Sequence, residues 1–390
     1  MVSGKKETDG IKESKMRIGI DARMLGASGI GRYLKNLLIE LQKLDSGNEY
    51  FVFLLKKDIN QIKLSGNFYP VVANFTWYSF EEQIRLPVLL NKYKPDLVHF
   101  PHFNVPLCYF GKYVVTIHDL THEDFKMYRA SAHNRVYYEI KHQLHRMVIL
   151  SALKRAKKVF TPSRFVKGEI TKRYGVDPSK ILVTPEAADE SLCLLASSLT
   201  AKQCDEALEK LTVRRPYIFY VGNAHPHKNV EGLIRSFTKL KKNHQSLQLV
   251  LSGREDFFWQ RIKKELAREG LKDVVVTGFV SDKELAALYK NAQALVFPSF
   301  SEGFGIPVLE AMACGCPVVS SNKTSLPEVA GEAAVYFDPK RVDDMAEKIN
   351  LVLGSPKLRK ELVGKGLRRA RQFSWQEMAR QTWEEYLKCA

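Results

Sequence analysis

Short apolar runs alternate with amphipathic stretches along almost the whole chain. The first run, Met16–Asp21 (MRIGID), leads through a glycine-bearing loop, Leu25–Gly31, into a helical pattern from about Arg32 to Lys43. Further runs stand at Tyr50–Leu55, Leu97–Phe100, Val114–His118, Lys158–Thr161 and Ile181–Thr184. A second series begins at Tyr217–Val221 and continues through Leu247–Leu251, Val274–Thr277, Leu295–Phe297 and Val318–Val319. Strand patterns that alternate with helical ones predict an α/β fold with parallel sheets covered on both faces. Between the two series lies Ala187–Arg215, polar and weakly patterned, which reads as a linker. The expected organisation is a disordered tail over 1–15, a Rossmann-like domain over 16–190, a linker over 191–215, a second Rossmann-like domain over 216–372 and a closing helix within 373–390. The aromatic and charged segment Thr121–Tyr137 has no clear period and reads as a long loop.

Length agrees with this division, since 390 residues exceed what one core usually holds and suit two. No run of about eighteen apolar residues occurs, so no helix is expected to span a membrane. The N-terminus (MVSGKKETDGIKESK) lacks the apolar core of a signal peptide. Cys108, Cys193, Cys204, Cys314, Cys316 and Cys389 lack metal-ligand spacing and read as reduced thiols in a cytoplasmic protein.

The net charge of +17 is unevenly spread: residues 141–180 hold eleven Lys or Arg against two Asp or Glu. The first part of that stretch is an amphipathic helix with a basic face. Three readings compete: a solvated face, peripheral contact with an anionic membrane, and a nucleic-acid surface. The last ranks lowest, because no zinc-finger, RNA-recognition or basic-zipper pattern accompanies the charge.

Chemistry concentrates in Phe297–Ala330. An apolar run ends at Pro298, Gly303 and Gly305 follow, and Pro307 opens a short helix that Gly315 closes. Glu302 then lies in the loop and Glu310 in the first turn of the helix. N–H groups near Gly305 and Ile306 lack intrahelical partners at the positive end of the helix dipole. A phosphate fits there with a carboxylate on either side for hydroxyls, which suggests a nucleotide-sugar site. A second glycine loop, with Gly29 and Gly31, admits backbone close to a ligand or merely makes a tight turn. Val114–His118 delivers His118 to a strand end beside Asp119. No Asp-x-Asp pair stands at a strand end, so no metal or other cofactor is expected.

The run SEGFGIPVLEAMACGCPVV, with seven residues between Glu302 and Glu310, resembles the donor-site signature of glycosyltransferase family 4. The resemblance extends from Met16 to about Trp383 and implies the GT-B arrangement, two Rossmann-like domains facing across a cleft. It also implies that the last helix returns to pack on the first domain, and that Thr121–Tyr137 lies at the cleft mouth. In such enzymes the first glutamate contacts the donor sugar and the second the ribose, so Glu302 and Glu310 take those roles. The backbone of Gly303, Phe304, Gly305 and Ile306 would approach the diphosphate. His118, in Thr116-Ile-His-Asp119, would reach the transferred sugar, and Lys228 would face the diphosphate. Many relatives carry arginine where this chain has Asn223, which leaves Arg254 as the candidate for a second cationic contact. Gly278 and Phe279 match the segment near the base, and Gly29 and Gly31 the loop near phosphate and acceptor. His99 and His102 would shape the acceptor pocket.

The reaction implied is metal-independent transfer with retained configuration. Trp77, Gln83, Pro87, His99–His102 and Thr116–Asp119 look most like bacterial mannosyltransferases of polysaccharide or lipopolysaccharide assembly. GDP-mannose is therefore the first choice of donor, with UDP- and dTDP-sugars next. The acceptor would be a saccharide or a polyprenyl-linked saccharide, met at the inner face of the cell membrane. A Rossmann dehydrogenase is disfavoured because Gly26–Gly31 does not match the G-x-G-x-x-G spacing. A glycosidase is disfavoured because Glu310 would lie at the ribose, away from the scissile bond. A basic nucleic-acid-binding protein is the rival of another class, recognisable by steeply salt-dependent binding to any DNA.

Overall fold

The computed structural model describes residues 15–27, 29–121 and 135–390, without the side chains of 135–142, 144 and 145. Most of the 1–15 tail, most of the Thr121–Tyr137 loop and much of the basic face of the helix in 141–180 therefore lie outside the described residues. Two parallel sheets organise the rest. The first has seven strands in the order β3-β2-β1-β4-β5-β6-β7, the second six in the order β10-β9-β8-β11-β12-β13. In the first sheet these are β1 (Arg17–Asp21), β2 (Glu49–Leu54), β3 (Phe68–Val72), β4 (Leu97–Phe100), β5 (Tyr113–Thr116), β6 (Lys158–Thr161) and β7 (Ile181–Val183). The second holds β8 (Tyr217–Val221), β9 (Gln248–Ser252), β10 (Val274–Gly278), β11 (Ala294–Phe297), β12 (Val318–Ser321) and β13 (Ala334–Phe337). The α/β, doubly wound class read from the pattern is thus the one observed. In both sheets the order reverses beside the first strand, between β1 and β4 and between β8 and β11. Loops at the carboxyl ends of such strand pairs are where open α/β sheets bind ligands.

Packing divides the chain into two compact units. One comprises residues up to Thr116 with Val148–Lys158 and Thr382–Ala390; the other comprises Ile117–Met147 and Val159–Gln381. In the first, the C-terminal residues are bolted to the sheet by buried polar bonds. Tyr386 OH lies 2.5 Å from His99 Nδ1, and His99 Nε2 lies 2.8 Å from Thr116 Oγ1. Trp383 Nε1 donates to Asp45 Oδ2 at 2.8 Å. His99 is fully buried, so the expectation that it shapes an acceptor pocket is corrected: its imidazole is occupied in fastening the last helix, Trp375–Cys389. The same unit buries Arg23 between Asp21, at 2.8 and 2.7 Å, and Glu82, at 2.5 Å. Burial pushes the Glu82 carboxyl above its usual range, partly opposed by the guanidinium.

Three readings of the pattern are corrected. Strands β3 and β13 were not anticipated, and both are sheet edges. Phe68-Tyr-Pro-Val-Val contains Pro70, which removes a ladder donor and is tolerated only at an edge. The supposed linker folds as two helices, Glu190–Ser198 and Ala201–Lys210. Asp189 caps the first, and a Thr200–Gln203 capping box starts the second. Their apolar residues Leu192, Ala196, Cys204 and Leu208 join the core of the second unit. Each helix is short enough that only two or three buried positions reveal its face, and polar residues hide the period. All six cysteines are free thiols.

Candidate active site

The carboxyl ends of β8 and β11 bring two distant loops together. After β8, Gly222 and Asn223 lead into a single turn, Pro226–Lys228, which ends at Asn229 in the left-handed region, φ 56°. The buried Asn229 donates through Nδ2 to Pro298 O at 3.2 Å and Pro339 O at 3.0 Å. Phe300 N–H donates to His227 O at 2.7 Å. These bonds fix Lys228 beside the loop that follows β11. Its ammonium donates to both oxygens of Glu302, at 2.7 and 2.8 Å, with side-chain exposures of 15% and 11%. The pair is therefore largely desolvated, where its attraction is worth more than on the surface.

The loop from Ser301 to Gly305 is held from below by the turn after β12. Glu302 N–H donates to Thr324 Oγ1 at 3.0 Å, and Ser325 Oγ bonds both Glu302 O and Phe304 O at 2.9 Å. With the Phe304 carbonyl turned to Ser325, the N–H of the same trans peptide, on Gly305, points the opposite way. Gly305 is the N-cap of the helix Ile306–Ala313, at φ 111°, and no side chain caps that helix. The uncapped amide end expected for a phosphate is thus present.

Glu310 lies one position later than expected, beyond the first turn, because the helix begins at Ile306 and not at Pro307. It is 2% exposed, and Tyr289 OH donates to its Oε2 at 3.0 Å. Phe304 is buried against Phe373, with ring centroids 5.7 Å apart, so its backbone and not its ring is left for a ligand.

His118 stands two residues past β5. Its Nδ1 lies 3.0 Å from Glu186 Oε1, and both side chains are largely buried. The carboxylate at Nδ1 holds the imidazole in a fixed orientation. Gly303 packs directly on this segment: a Cβ there would fall 1.9 Å from His118 O. Ser163 Oγ donates to Gly303 O at 2.7 Å, and Thr121 Oγ1 lies 3.3 Å from Ser301 Oγ. Within the second unit, then, His118, Glu302, Gly303 and Lys228 converge.

Other anticipated residues are placed more loosely. Asn223 is half-buried and accepts His225 N–H at 3.2 Å through Oδ1. Arg254 is exposed after β9, and Phe279, after β10, is 80% exposed beside Gly278. Gly29 and Gly31 belong to the first unit and differ from each other. Gly31 is required by close packing, since a Cβ there would meet Leu25 O at 2.2 Å, whereas Gly29 has nothing within 4 Å. Close packing against Leu25 O is thus one reason that position 31 is glycine. Reading the sequence missed Glu186, Asn229, Ser163, Thr324 and Ser325. Only the last two carried a signal, as part of the Ser/Asn/Thr loop after β12. Among the described residues no cluster of His, Cys, Asp and Glu could hold a metal ion.

Two parallel α/β sheets, with a glycine-broken loop and an uncapped helix at the reversal of strand order, define a GT-B glycosyltransferase. The Anabaena HepE protein in complex with UDP-glucose has the same fold, with a TM-score of 0.76 at 17% identity over 96% of this chain and 100% of that one. The chain belongs to glycosyltransferase family 4: residues 27–192 match the model "Glycosyltransferase Family 4" and residues 205–369 the model "Glycosyl transferases group 1". It is 34% identical over 303 residues to the O-antigen chain mannosyltransferase B of Escherichia coli, covering 76% of this chain and 75% of that protein. To the O-antigen chain mannosyltransferase RfbU of Salmonella typhimurium it is 32% identical over 264 residues, covering 67% of this chain and 66% of that one.

Proposed function

We propose that this glycosyltransferase moves mannose from GDP-mannose to a saccharide or lipid-linked saccharide, with retained configuration and without a metal, during polysaccharide or lipopolysaccharide assembly at the cytoplasmic face of the membrane. The observation that carries the reading is the Lys228–Glu302 pair beside the uncapped helix at Gly305. The names of the similar proteins support mannose. On donor binding, Lys228 exchanges a Glu302 oxygen for the diphosphate, and Glu302 accepts hydrogen bonds from sugar hydroxyls. The anomeric C–O bond to the diphosphate breaks as the acceptor oxygen bonds the same face. The acceptor's proton passes to the departing phosphate oxygen. Negative charge grows on the diphosphate as it leaves, and Lys228 with the Gly305 and Ile306 N–H groups meets it there. His118, oriented by Glu186, contacts the transferred sugar, and Glu310 the ribose.

A thermal-shift panel of GDP, UDP, dTDP and their sugars tests the donor. A ligand at a hundred times its dissociation constant adds about 2.7 kcal/mol. GDP and GDP-mannose should shift the melting temperature most, and a larger shift by UDP- or dTDP-sugars would overturn the choice of base. Glu302→Ala should retain GDP binding and lose transfer; unchanged turnover would remove Glu302 from the chemistry.

A further inference from the structure

The helix Arg164–Tyr174 starts on a carboxylate from a distant part of the chain. Arg164, Phe165 and Val166 open it, and their N–H groups have no intrahelical acceptor. Val166 N–H donates to its own N-cap, Ser163 Oγ, at 3.2 Å. The other two donate to Glu328: Arg164 N–H to Oε1 at 2.9 Å and Phe165 N–H to Oε2 at 3.1 Å. A helix N-terminus usually leaves such amides to a local cap and to water. Here both oxygens of an anion take them, at the positive end of the helix dipole, in charge-assisted bonds.

Glu328 is itself held in place. It belongs to the short helix Leu326–Ala330. Arg369 donates through Nη2 to Glu328 O at 2.5 Å and through Nε to Val329 O at 2.9 Å. The Arg369 guanidinium carbon lies 4.8 Å from the ring centroid of Phe373, the ring on which Phe304 packs. Just before that helix, Thr324 lies in the left-handed region, φ 54°, which a β-branched residue rarely adopts. This conformation accompanies the bond by which Thr324 Oγ1 accepts Glu302 N–H.

These bonds close a circuit around the loop Ser301–Gly305, all within the second unit. Ser325 holds Glu302 O and Phe304 O from one side, and Ser163 holds Gly303 O from another. Glu328 ties the two supports to each other. We propose that Glu328 is a positioning residue for sugar transfer, fixing the start of the helix Arg164–Tyr174 so that Ser163 holds Gly303, and with it Glu302, in place. It acts through the loop and touches neither sugar nor nucleotide. This role rests on Glu302 acting at the donor sugar.

Steady-state kinetics beside melting curves and GDP titrations test it, with the nucleotide sugar that raises the melting temperature most, GDP-mannose by the reading above. Glu328→Ala should lower kcat about tenfold through loss of geometry. KM for the donor and affinity for GDP should stay at wild type, because Glu328 holds neither Lys228 nor the Gly305 amide. Glu328→Gln offers an acceptor to one amide and turns a donor toward the other, so its kcat should fall between the two. Ser163→Ala should also lower kcat, and the double variant with Glu328→Ala should lose less than the product of the single losses, since both open one circuit. Hydrogen exchange at Arg164 and Phe165 should quicken in Glu328→Ala. Wild-type kcat in a folded Glu328→Ala or Glu328→Gln enzyme would overturn the proposal. So would losses that multiply in the double variant, or a fall in GDP affinity that matches the fall in kcat. Glu302→Ala, measured alongside, separates the two readings. Full turnover there overturns the site as read and this role with it; lost transfer there with wild-type kcat in the Glu328 variants overturns this role alone.

Discussion

Replacing Gly303 by alanine puts a methyl group where the chain leaves no room for one. The new Cβ would lie 1.9 Å from the carbonyl oxygen of His118 and 2.8 Å from its carbonyl carbon. Both neighbours are backbone, so no rotamer change relieves the overlap. Reaching even the 3.0 Å that marks the tightest real contacts requires the loop and the His118 segment to separate by about 1.1 Å. The loop is stiff on its other sides, where Ser163 holds Gly303 O and Ser325 holds Glu302 O and Phe304 O. Displacement therefore carries Glu302 away from His118. A misplacement of about 1 Å can cost roughly a hundredfold in rate, or about 2.7 kcal/mol of barrier. The assay is kcat/KM for sugar transfer from the proposed donor, GDP-mannose, measured beside a melting curve that establishes folding. Gly168→Ala is the control: it lies in the helix Arg164–Tyr174 with nothing within 4 Å of the added carbon, and should gain up to about 1 kcal/mol. A folded Gly303→Ala enzyme with wild-type kcat/KM would refute the inference that the His118 contact sets the position of Glu302.

Tyr386→Phe removes the hydroxyl that meets His99 Nδ1 and leaves a buried nitrogen without that partner. The expected cost is about 1–3 kcal/mol, seen as a lower melting temperature with activity per folded molecule unchanged. Glu284 is held well below the usual carboxylate range, at about 2, first by Lys210 and then by the Ser281 N–H in a capping box. Its contribution is therefore fully present above the ordinary glutamate pKa of about 4.5 and is lost as pH falls toward 2. Urea midpoints of Glu284→Gln should lie below wild type at pH 7 and converge with it through that window. A constant difference down to pH 2.5 would reject the assignment.

Local chemistry and periodicity were enough to read the class of fold, the positions of most strands and the glycine-broken loop that leads into the helix Ile306–Ala313. Apolar runs buried on both faces announce themselves without reference to neighbours, and so does the Pro–Gly punctuation around the helix Ile306–Ala313. The edge strands β3 and β13 were passed over although Phe68–Val72 and Ala334–Phe337 are apolar runs: Pro70 argues against a strand in the first, and four residues are too few to show a period in the second. The two helices at 190–210 escaped because each shows too few buried positions to display a period.

Which polar groups meet was decided by the tertiary structure. Lys228 and Glu302 are 74 residues apart, His118 and Glu186 are 68 apart, and His99 and Tyr386 are 287 apart. No spacing rule connects such pairs. Lys228 and Glu302 meet because strand order reverses between β8 and β11, and His99 and Tyr386 because the last helix is anchored to the first sheet. The same three-dimensional packing settled two residues whose types alone were ambiguous. His99 became a fastener because its ring is wholly buried among hydroxyl partners. Gly303 became indispensable because another segment's backbone occupies the space a side chain would need. Residue type limits the chemistry a position can perform; the neighbours delivered by folding determine which of those possibilities remains.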